Sequence, residues 1–288
     1  MARKVGIIGT KGGTTKTSNC ANLGGMLADM GQKVLLIDGD DQQSLSAYYP
    51  LAKRATHGLK KFITTADPKD CISETNIPNL HIIVNDDPNN ELALWFSKSS
   101  SHFEYLKYAI KAAEGDYDYI LIDTKGEKNG ALQESVIKAV DQLINPITPE
   151  FMSAKEFKRG TLQMMSRLKG PDNIELFKLP PLLMVICRSK GQTNANKKII
   201  TELRKIAFEE AIDVSVLNTI IVEKEAYNLA CGKKIPVHRM EPVKPNKSSP
   251  TPSALTLQLT LVRELLPHLC DIYPEWEGMP QSAEIANI

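Results

Sequence analysis

The sequence predicts an α/β fold: a doubly wound, mostly parallel β-sheet with helices on both faces. Short, continuously apolar runs rich in Val, Ile and Leu recur along the chain, which is typical of strands buried on both faces. Segments with the apolar spacing of helices separate these runs. Two of the runs end directly in a carboxylate, Asp38 and Asp123, at the position where open parallel sheets bind ligands. We expect a single domain over residues 1–288.

The composition is that of an ordinary globular protein, with 42% hydrophobic residues, 24% charged residues and a formal net charge of +1. Overall charge therefore does not indicate a nucleic-acid or membrane partner. The five cysteines are scattered and form no C-x-x-C pair, which argues for a reducing compartment and against a zinc site. No apolar run approaches the roughly 20 residues of a membrane span, and the N-terminus does not resemble a signal peptide. We therefore expect a cytoplasmic protein.

The first apolar run, residues 5–8, leads into a glycine-rich loop and then a helical pattern. This is the order that a phosphate-binding loop requires, because glycines let backbone N–H groups surround phosphate oxygens and the helix N-terminus adds its positive dipole end. Lys16 would reach the terminal phosphates and Thr17 would bind Mg²⁺. The predicted nucleotide-binding residues of this loop are Lys11, Gly12, Gly13, Thr14, Thr15, Lys16, Thr17 and Ser18. The alternative is a strand-to-helix turn that is merely rich in glycine and lysine.

The loop departs from the strict pattern G-x-x-x-x-G-K-[ST], because Thr10 and Thr15 occupy its glycine positions. It matches Lys-Gly-Gly-x-x-Lys-Thr instead, with Lys11 just before the glycine pair. In this it resembles the deviant Walker loop of the ParA/MinD superfamily of ATPases. The resemblance implies a P-loop NTPase fold, ATP and Mg²⁺ as cofactors, and ATP hydrolysis that is weak without a partner. It also implies that Lys11 reaches across a homodimer interface to the partner's ATP; a solvated surface lysine is the alternative.

The second apolar run, residues 33–38, ends in the sequence Asp38-Gly39-Asp40-Asp41. The resembling family has Asp-x-Asp-Pro here, which implies that Asp40 contributes to the Mg²⁺ site and polarises the attacking water, with Asp38 in support. Asp41 stands where proline is usual, so which of the two carboxylates matters more for hydrolysis stays open. An acidic turn without chemistry is the weaker alternative. The candidate catalytic residues are therefore Lys11, Lys16, Asp38 and Asp40.

Residues 48–75 read as a helical, polar surface region without assigned chemistry, and residues 80–84 as a further strand. Residues 117–124 predict an apolar strand that ends near Asp123, the arrangement of a Walker B motif, whose carboxylate reaches Mg²⁺ through water. The family commonly continues with two prolines, whereas Lys125 and Gly126 stand here. We expect this difference to change the switch loop without removing the Mg²⁺ contact. The predicted metal residues are Thr17, Asp40 and Asp123.

The remaining pattern continues the alternation of strands and helices, and the resemblance extends to about residue 237. The predicted elements are a strand over 141–150 with a Pro-x-x-Pro-Glu exit, a helix over 153–168, strands at 182–186 and 219–222, and a helix over 195–211. The resemblance places Arg188, near the adenine base, and Pro236 among the nucleotide-binding residues. Residues 241–253 read as a linker-like loop, 254–270 as a C-terminal helix and 274–288 as a frayed tail.

The resemblance implies an ATP-dependent dimer that binds DNA without sequence preference, associates with the nucleoid and positions a cargo. The cargo is open between plasmid or mobile-element DNA and a protein body such as the carboxysome, with a ParB-like or McdB-like partner that stimulates hydrolysis. Residues 181–250 hold 12 Lys and Arg against 7 Asp and Glu, a local excess of 12 − 7 = +5 that offers a candidate DNA surface. These basic residues are Arg188, Lys190, Lys197, Lys198, Arg204, Lys205, Lys224, Lys233, Lys234, Arg239, Lys244 and Lys247.

Two other classes remain as alternatives. A MinD-like membrane switch needs a basic amphipathic C-terminal helix, and residues 278–288 lack a basic face, so we expect no membrane partner. A metabolic P-loop enzyme that uses ATP would need a pocket for a second substrate, on which the sequence is silent.

Overall fold

The computed structural model describes residues 1–127, 130–169, 178–190, 194–209, 212–244, 246, 248 and 250–279. Within these residues nine strands form one sheet. They are β1 (Arg3–Ile7), β2 (Val34–Gly39), β3 (Leu51–Lys53), β4 (Ser73–Thr75), β5 (Leu80–Ile83), β6 (Tyr119–Thr124), β7 (Gln142–Ile147), β8 (Leu182–Ser189) and β9 (Val214–Val222).

The sheet has the order β3-β4-β5-β2-β6-β1-β7-β8-β9. From β5 to β9 every neighbouring pair is parallel, whereas β4 pairs antiparallel with both β3 and β5. The order reverses around β1, so helices must cover both faces, as in a doubly wound sheet. The predicted fold class, a mostly parallel P-loop NTPase sheet with helices on both faces, is confirmed.

The helices of the described part alternate with the strands. They are α1 (Lys16–Asp29), α2 (Leu59–Thr65), α3 (Glu91–Ser97), α4 (Tyr105–Ala113), α5 (Ala131–Ala139), α6 (Phe151–Glu156), α7 (Gln163–Lys169), α8 (Asn194–Glu209), α9 (Glu225–Lys233), α10 (Val237–Met240) and α11 (Ala254–Leu265). A π-helical turn, Phe157–Leu162, joins α6 to α7, so the predicted helix over 153–168 is one nearly continuous helical segment. Short 3₁₀ turns cover Ser100–Glu104, Glu114–Asp116 and Pro267–Leu269.

Two apolar cores lie on opposite faces of the sheet. In β2, Leu35 and Ile37 join one cluster of buried side chains, whereas Val34 and Leu36 join the other. Every residue of β2, β6 and β7 is buried, which is why these strands read as continuous apolar runs rather than alternating ones. Helices α1 and α11 cover the second face, and α2, α4, α5 and α8 cover the first. Both faces of the central strands are therefore fixed, and their ends are held in place.

The prediction of a helical surface region over residues 48–75 is wrong. The segment contains the short strands β3 and β4, which extend the sheet past β5, with α2 between them. Tyr48 and Tyr49, expected at the surface, are buried, and the Tyr49 hydroxyl donates to the Ala21 carbonyl at 3.0 Å. Strands of three residues carry too short a pattern to be read locally, because their stability comes from pairing along the edge of the sheet.

The C-terminal part also differs from expectation. Helix α11 ends at Leu265, before the 3₁₀ turn, and Ser253 caps its start by accepting from the Thr256 amide at 3.1 Å. Residues 274–279, expected to be frayed, pack against the end of α1: the Glu275 amide donates to the Asp29 carbonyl at 2.6 Å. The rest of the predicted tail, 280–288, lies outside the described residues. Among the described residues, no helix combines the length and apolar character needed to cross a bilayer.

Candidate nucleotide-binding site

The predicted site lies at the carboxyl end of the central strands. Strand β2 is in register with β6 so that Asp38 is paired with Asp123, and β1 places Ile7 beside Asp123 on the other side. The loop between β1 and α1, residues 8–15, therefore begins directly beside the two carboxylates. The sequence predicted this convergence from strand ends alone, and the register explains it.

The phosphate-binding loop bends through left-handed backbone conformations. Gly13 has φ +72° and Thr15 has φ +69°. Thr15 stands where the strict motif has glycine, and a β-branched residue is strained in this region. Asn19 stabilises it by donating to the Thr15 carbonyl at 2.8 Å and to its hydroxyl at 2.9 Å. The loop thus keeps the glycine-like turn despite the substitution.

Lys16 lies under the loop with 6% of its surface exposed, and its ammonium donates to the Lys11 carbonyl at 3.2 Å. Burial lowers the pKa of Lys16, and the carboxylates of Asp123 and Asp40 oppose this shift. Gly126 covers the ammonium so closely that a Cβ there would lie 2.8 Å from the Lys16 Nζ atom. A desolvated cation beside a backbone turn of free N–H groups is suited to bind a phosphate.

Asp123 is fully buried, and neither of its carboxylate oxygens makes a hydrogen bond of normal geometry with a described residue, although the Thr17 hydroxyl lies close enough to affect its pKa. Burial raises the pKa of Asp123 to about 7, against the opposing effects of the Thr17 hydroxyl and the Lys16 ammonium. A buried carboxylate without a partner is unfavourable unless a cation binds it. The described residues contain no cluster of three or more His, Cys, Asp or Glu that could hold a metal. The unpaired Asp123 carboxylate beside the Thr17 hydroxyl fits Mg²⁺ as it binds in nucleotide sites, with few protein ligands and the remaining positions taken by phosphate and water.

The two carboxylates after β2 have different surroundings. Asp38 is fully buried and accepts from the Ser46 amide at 2.7 Å, the Ser46 hydroxyl at 2.6 Å and the Asp40 amide at 3.1 Å. Burial raises the pKa of Asp38, while these hydrogen bonds act in the opposite direction. Asp40 is half-buried, and its Oδ1 atom accepts from the Gln42 amide at 3.0 Å. Asp38 is thus occupied in holding the loop, and Asp40 is the more accessible of the two.

Lys11 does not join Lys16 at the phosphate position. Its ammonium contacts the start of α6, 3.2 Å from the Glu150 carboxylate and 3.0 Å from the Ser153 hydroxyl. The side chain is 35% exposed, and the contact with Lys11 lowers the pKa of Glu150. The two lysines of the motif therefore belong to different surroundings within one subunit.

A cavity of about 290 Å³ opens beside the first turn of α1. Its lining includes three of the predicted nucleotide residues, Thr15, Ser18 and Arg188, together with Asn19 and Tyr227, which the sequence did not single out. The size and position suit the base and ribose of a nucleotide whose phosphates lie on the loop. Pro236 does not line this cavity; it lies against Gly25, farther along α1, and its assignment to the nucleotide stays a prediction.

Gln133 is a further site residue that the sequence analysis missed. It is 2% exposed on α5, and its Nε2 atom donates to the Gly9 carbonyl at 3.1 Å, the Thr124 hydroxyl at 3.3 Å and the Lys125 carbonyl at 3.0 Å. It therefore joins the phosphate-binding loop to the loop that follows β6. A polar residue on the buried face of an amphipathic helix was the signal that could have identified it.

Comparison with known proteins agrees with this geometry. The AAA_31 family, described as an AAA domain, matches residues 2–175, which is more than half of the chain. The sporulation initiation inhibitor protein Soj of Bacillus subtilis is 27% identical over 210 residues, covering 71% of this chain and 80% of Soj. The chromosome partitioning protein ParA of Caulobacter vibrioides is 30% identical over 178 residues, covering 60% of this chain and 66% of that protein.

Solved structures of McdA from Cyanothece share the fold. The apo structure superposes with a TM-score of 0.71 at 22% identity, covering 83% of this chain and 93% of that chain. The ATP complex of a McdA variant gives a TM-score of 0.68 at 23% identity, covering 81% and 88%. The phosphate-binding loop and the strand-end carboxylates lie within residues 2–175, which the family model matches, and the fold is the one that the sequence resemblance implied. The chain therefore belongs to the AAA_31 family and is a P-loop ATPase of the ParA/MinD type.

Proposed function

We propose that this ATPase dimerises around ATP, binds DNA without sequence preference in the dimeric state, and positions or segregates a cargo. The observation that carries the proposal is the placement of Lys11. Its ammonium lies away from the Lys16 ammonium, where it contacts the exposed Glu150 carboxylate just before α6 and the buried Ser153 hydroxyl in the first turn of that helix. A lysine of the nucleotide-binding motif that faces the surface is suited to complete a neighbouring subunit's site rather than its own.

The surface around Lys11 supports a second copy of the chain as its partner. Phe151 and Met152, which directly follow Glu150, are 74% and 54% exposed. Adjacent exposed apolar side chains of this size are typical of an interaction surface. Release of Lys11 from Glu150 toward the γ-phosphate of a partner's ATP would favour the dimer by differential affinity, and loss of that phosphate would reverse it.

Within one subunit the residues have separate tasks. The loop N–H groups and Lys16 bind the phosphates, while Thr17 and Asp123 hold Mg²⁺, which neutralises phosphate charge when bound. Asp40 is placed to orient and polarise the attacking water, and Asp38 fixes the loop that carries Asp40. Hydrolysis is slow alone because a partner must complete the site.

The candidate DNA surface is smaller than the sequence analysis proposed. Exposed basic residues remain on α8, where Lys197 and Arg204, and likewise Lys198 and Lys205, are two turns apart on one side. Lys224 does not belong to this surface as predicted, because its ammonium is 2.8 Å from the Glu241 carboxylate and its side chain is only 9% exposed. Arg239 is also engaged, by Asp29, and Lys247 lies outside the described residues.

The cargo is either plasmid or mobile-element DNA, as the names of the partitioning relatives suggest, or a protein body. We expect a ParB-like or McdB-like adaptor to link the cargo to the dimer and raise ATP turnover. Together with DNA binding this would make the protein nucleoid-associated. Screening small basic proteins for stimulation of ATPase activity would identify the adaptor.

The test of DNA binding uses two unrelated duplexes of equal length, with a non-hydrolysable ATP analogue or without nucleotide. We expect similar affinity for both duplexes, tight binding only with the analogue, and a steep loss of affinity as salt rises. Substituting both Lys197 and Arg204 by Ala should weaken binding and reduce the salt slope by about 2. Lys53→Ala is the matched control, because Lys53 is exposed on β3, at the opposite edge of the sheet from β9, on which α8 packs.

Equal binding with and without the analogue, or no binding at low salt, would contradict the DNA part of the proposal. A parallel flotation assay with anionic vesicles tests the membrane alternative. Nucleotide-dependent flotation without DNA binding would replace the nucleoid by a membrane surface as the partner.

A further inference from the structure

We infer that Lys125 and Asp41 form a positioning pair for ATP hydrolysis, tying the loop after β2 to the loop after β6. The Lys125 ammonium lies 2.7 Å from the Asp41 carboxylate. The contact is partly sheltered, with 36% of the Lys125 side chain and 14% of the Asp41 side chain exposed. The inference rests on the ATPase activity and on the role proposed above for Asp40.

Both members of the pair are fixed at a second point. The other carboxylate oxygen of Asp41 accepts from the Gln42 amide group at 3.2 Å. The Lys125 carbonyl accepts from Gln133, which also holds the Gly9 carbonyl of the phosphate-binding loop. Three loops that surround the phosphate position are therefore joined in one chain of contacts, from Gly9 through Gln133 and Lys125 to Asp41.

The two residues also stand at two of the positions where this chain departs from the pattern of its superfamily. Asp41 replaces the proline that usually follows the Asp-x-Asp carboxylates, and Lys125 replaces the first proline after the Walker B Asp-Thr. Proline stiffens a loop by fixing its own φ angle. Here two such prolines are absent, and the side chains that replace them meet as opposite charges, which stiffens both loops by joining them.

The consequence concerns the distance between Asp40 and the Mg²⁺ site. Asp40 is bonded in the chain to Asp41, and Asp123 lies two residues before Lys125. Holding Asp41 against Lys125 restricts how far Asp40 can move from Asp123, which binds the metal in this account. A looser Asp40 would spend less time where it can orient water, so kcat should fall while the phosphate contacts that govern KM stay intact.

The experiment is a double-substitution cycle on the full chain, with kcat and KM for ATP measured at saturating Mg²⁺. Lys125→Gln and Asp41→Asn keep side-chain length and polarity, and each should lower kcat roughly threefold to fivefold with KM changed less than twofold. The double variant should lose no more than either single one, because both remove the same contact. The charge exchange Asp41→Lys with Lys125→Asp should recover most of the lost kcat.

The control is Lys60→Gln, which breaks another exposed ion pair between two segments, Lys60 of α2 with Glu91 of α3 at 2.5 Å, and should leave kcat unchanged because neither side chain contacts a proposed site residue. Thermal unfolding of each variant checks that the fold persists. The inference is overturned if the two single losses add, if the exchange recovers nothing, or if neither single variant lowers kcat. A loss with Lys125→Gln but not with Asp41→Asn would also overturn it and assign Lys125 a direct phosphate contact.

Failure of this inference is separable from failure of the proposed function. Asp40→Ala measured alongside reports on Asp40 itself. If Asp40→Ala loses hydrolysis while the Lys125 and Asp41 variants keep the wild-type kcat, only the positioning role is wrong.

Discussion

The charged side chains buried at the two ends of helix α1 have opposite surroundings. At its N-terminal end, Lys16 is desolvated and the neighbouring Asp123 makes no hydrogen bond of normal geometry through either carboxylate oxygen in the described chain. At its C-terminal end, Asp29 accepts three hydrogen bonds, from His238 at 2.7 Å and from two nitrogens of Arg239 at 2.7 Å and 2.5 Å. The carboxylate at one end stays available for a ligand, and the carboxylate at the other is satisfied within the protein, although the Nδ1 atom of His238 has no partner among the described residues.

The contacts at the C-terminal end serve to hold segments together. An acidic side chain at a helix C-terminus faces the negative end of the helix dipole, so it is unfavourable unless cationic groups surround it. Burial alone would raise the pKa of Asp29, but the hydrogen bonds from Arg239 and His238 outweigh it and leave the pKa lowered. The Trp276 ring packs on His238 with the ring centroids 5.1 Å apart. This end therefore joins α1, α10 and residues 274–279.

Because of this difference, substitutions at the two ends of one helix should separate effects on function from effects on stability. A substitution at the ligand end should remove binding or turnover and leave the free energy of unfolding nearly unchanged. A substitution at the satisfied end should do the reverse. The predictions below test this separation.

The largest expected effect is on nucleotide binding. Lys16→Ala removes the buried ammonium from the phosphate position, and we expect affinity for Mg-ATP to fall by about 100-fold or more, the value of one or two charge-assisted hydrogen bonds. Calorimetric titration measures it. The melting temperature without nucleotide should stay the same or rise, because a desolvated cation is removed. An affinity within tenfold of the wild type would contradict the assignment of Lys16.

Asp29→Ala should lower the stability of the protein and leave its nucleotide affinity nearly unchanged. It leaves the buried His238 and the partly buried Arg239 without their partner, and we expect a loss of about 3 kcal/mol in the free energy of unfolding. Urea denaturation measures the loss, and nucleotide affinity at temperatures where the variant is folded should change less than threefold. The Asp29→Asn variant, which keeps an acceptor, should lose less. A stable Asp29→Ala protein that fails to bind ATP would break the comparison.

Turnover should separate from binding at the ligand end. Asp40→Ala should bind ATP and dimerise with near-normal affinity but hydrolyse roughly tenfold more slowly or worse, because water is no longer oriented. Asp38→Ala should instead loosen the loop that Ser46 and Asp38 hold, lowering stability as well as turnover. Steady-state ATPase assays and thermal unfolding distinguish the two. Normal turnover in Asp40→Ala would move the catalytic role to Asp38 or elsewhere.

The smallest effect concerns pH. Burial lowers the pKa of His238 below its ordinary 6.5, although Asp29 acts against this shift. A depressed folded-state pKa gives stability that is present above pH 6.5 and is lost as pH falls toward the folded value. We expect a loss on the order of 1 kcal/mol between pH 7.5 and pH 5.5 that is absent in His238→Gln.

This pH comparison is best made in an Asp123→Asn background. The raised pKa of Asp123, about 7, has the opposite sign, because a proton-binding carboxyl favours the folded state as pH falls. Urea unfolding at the two pH values, with and without His238→Gln, isolates the His238 contribution. Equal pH dependence in both proteins would show that the satisfied end does not titrate as proposed.

The sequence predicted well where the signal is local. The strands β1, β2 and β6 carry their burial in continuous apolar runs, and the loop from Lys11 to Ser18 carries its chemistry in residue order. Three-residue strands such as β3 were not predicted, because pairing with residues farther along the chain decides whether they form.

Contacts between residues distant in the chain likewise could not be predicted from the sequence. The bridge by Gln133, the different surroundings of Asp38 and Asp40, and the pairing of Asp41 with Lys125 each depend on a side chain meeting another element of the fold. Lys125 and Asp41 are 84 positions apart, so their separate departures from the family pattern did not reveal that they meet. The place of Pro236 against Gly25 was hidden for the same reason, since it depends on how α10 packs on α1.

The central claim is that two copies of this chain close around ATP, with Lys11 completing the partner's site. Light scattering of the wild type and of Lys11→Ala, each with saturating Mg²⁺ and non-hydrolysable ATP analogue, tests it most directly. We expect twice the subunit mass for the wild type and the subunit mass for Lys11→Ala, although the variant still binds nucleotide. A wild-type protein that binds the analogue and stays at the mass of one subunit would contradict it.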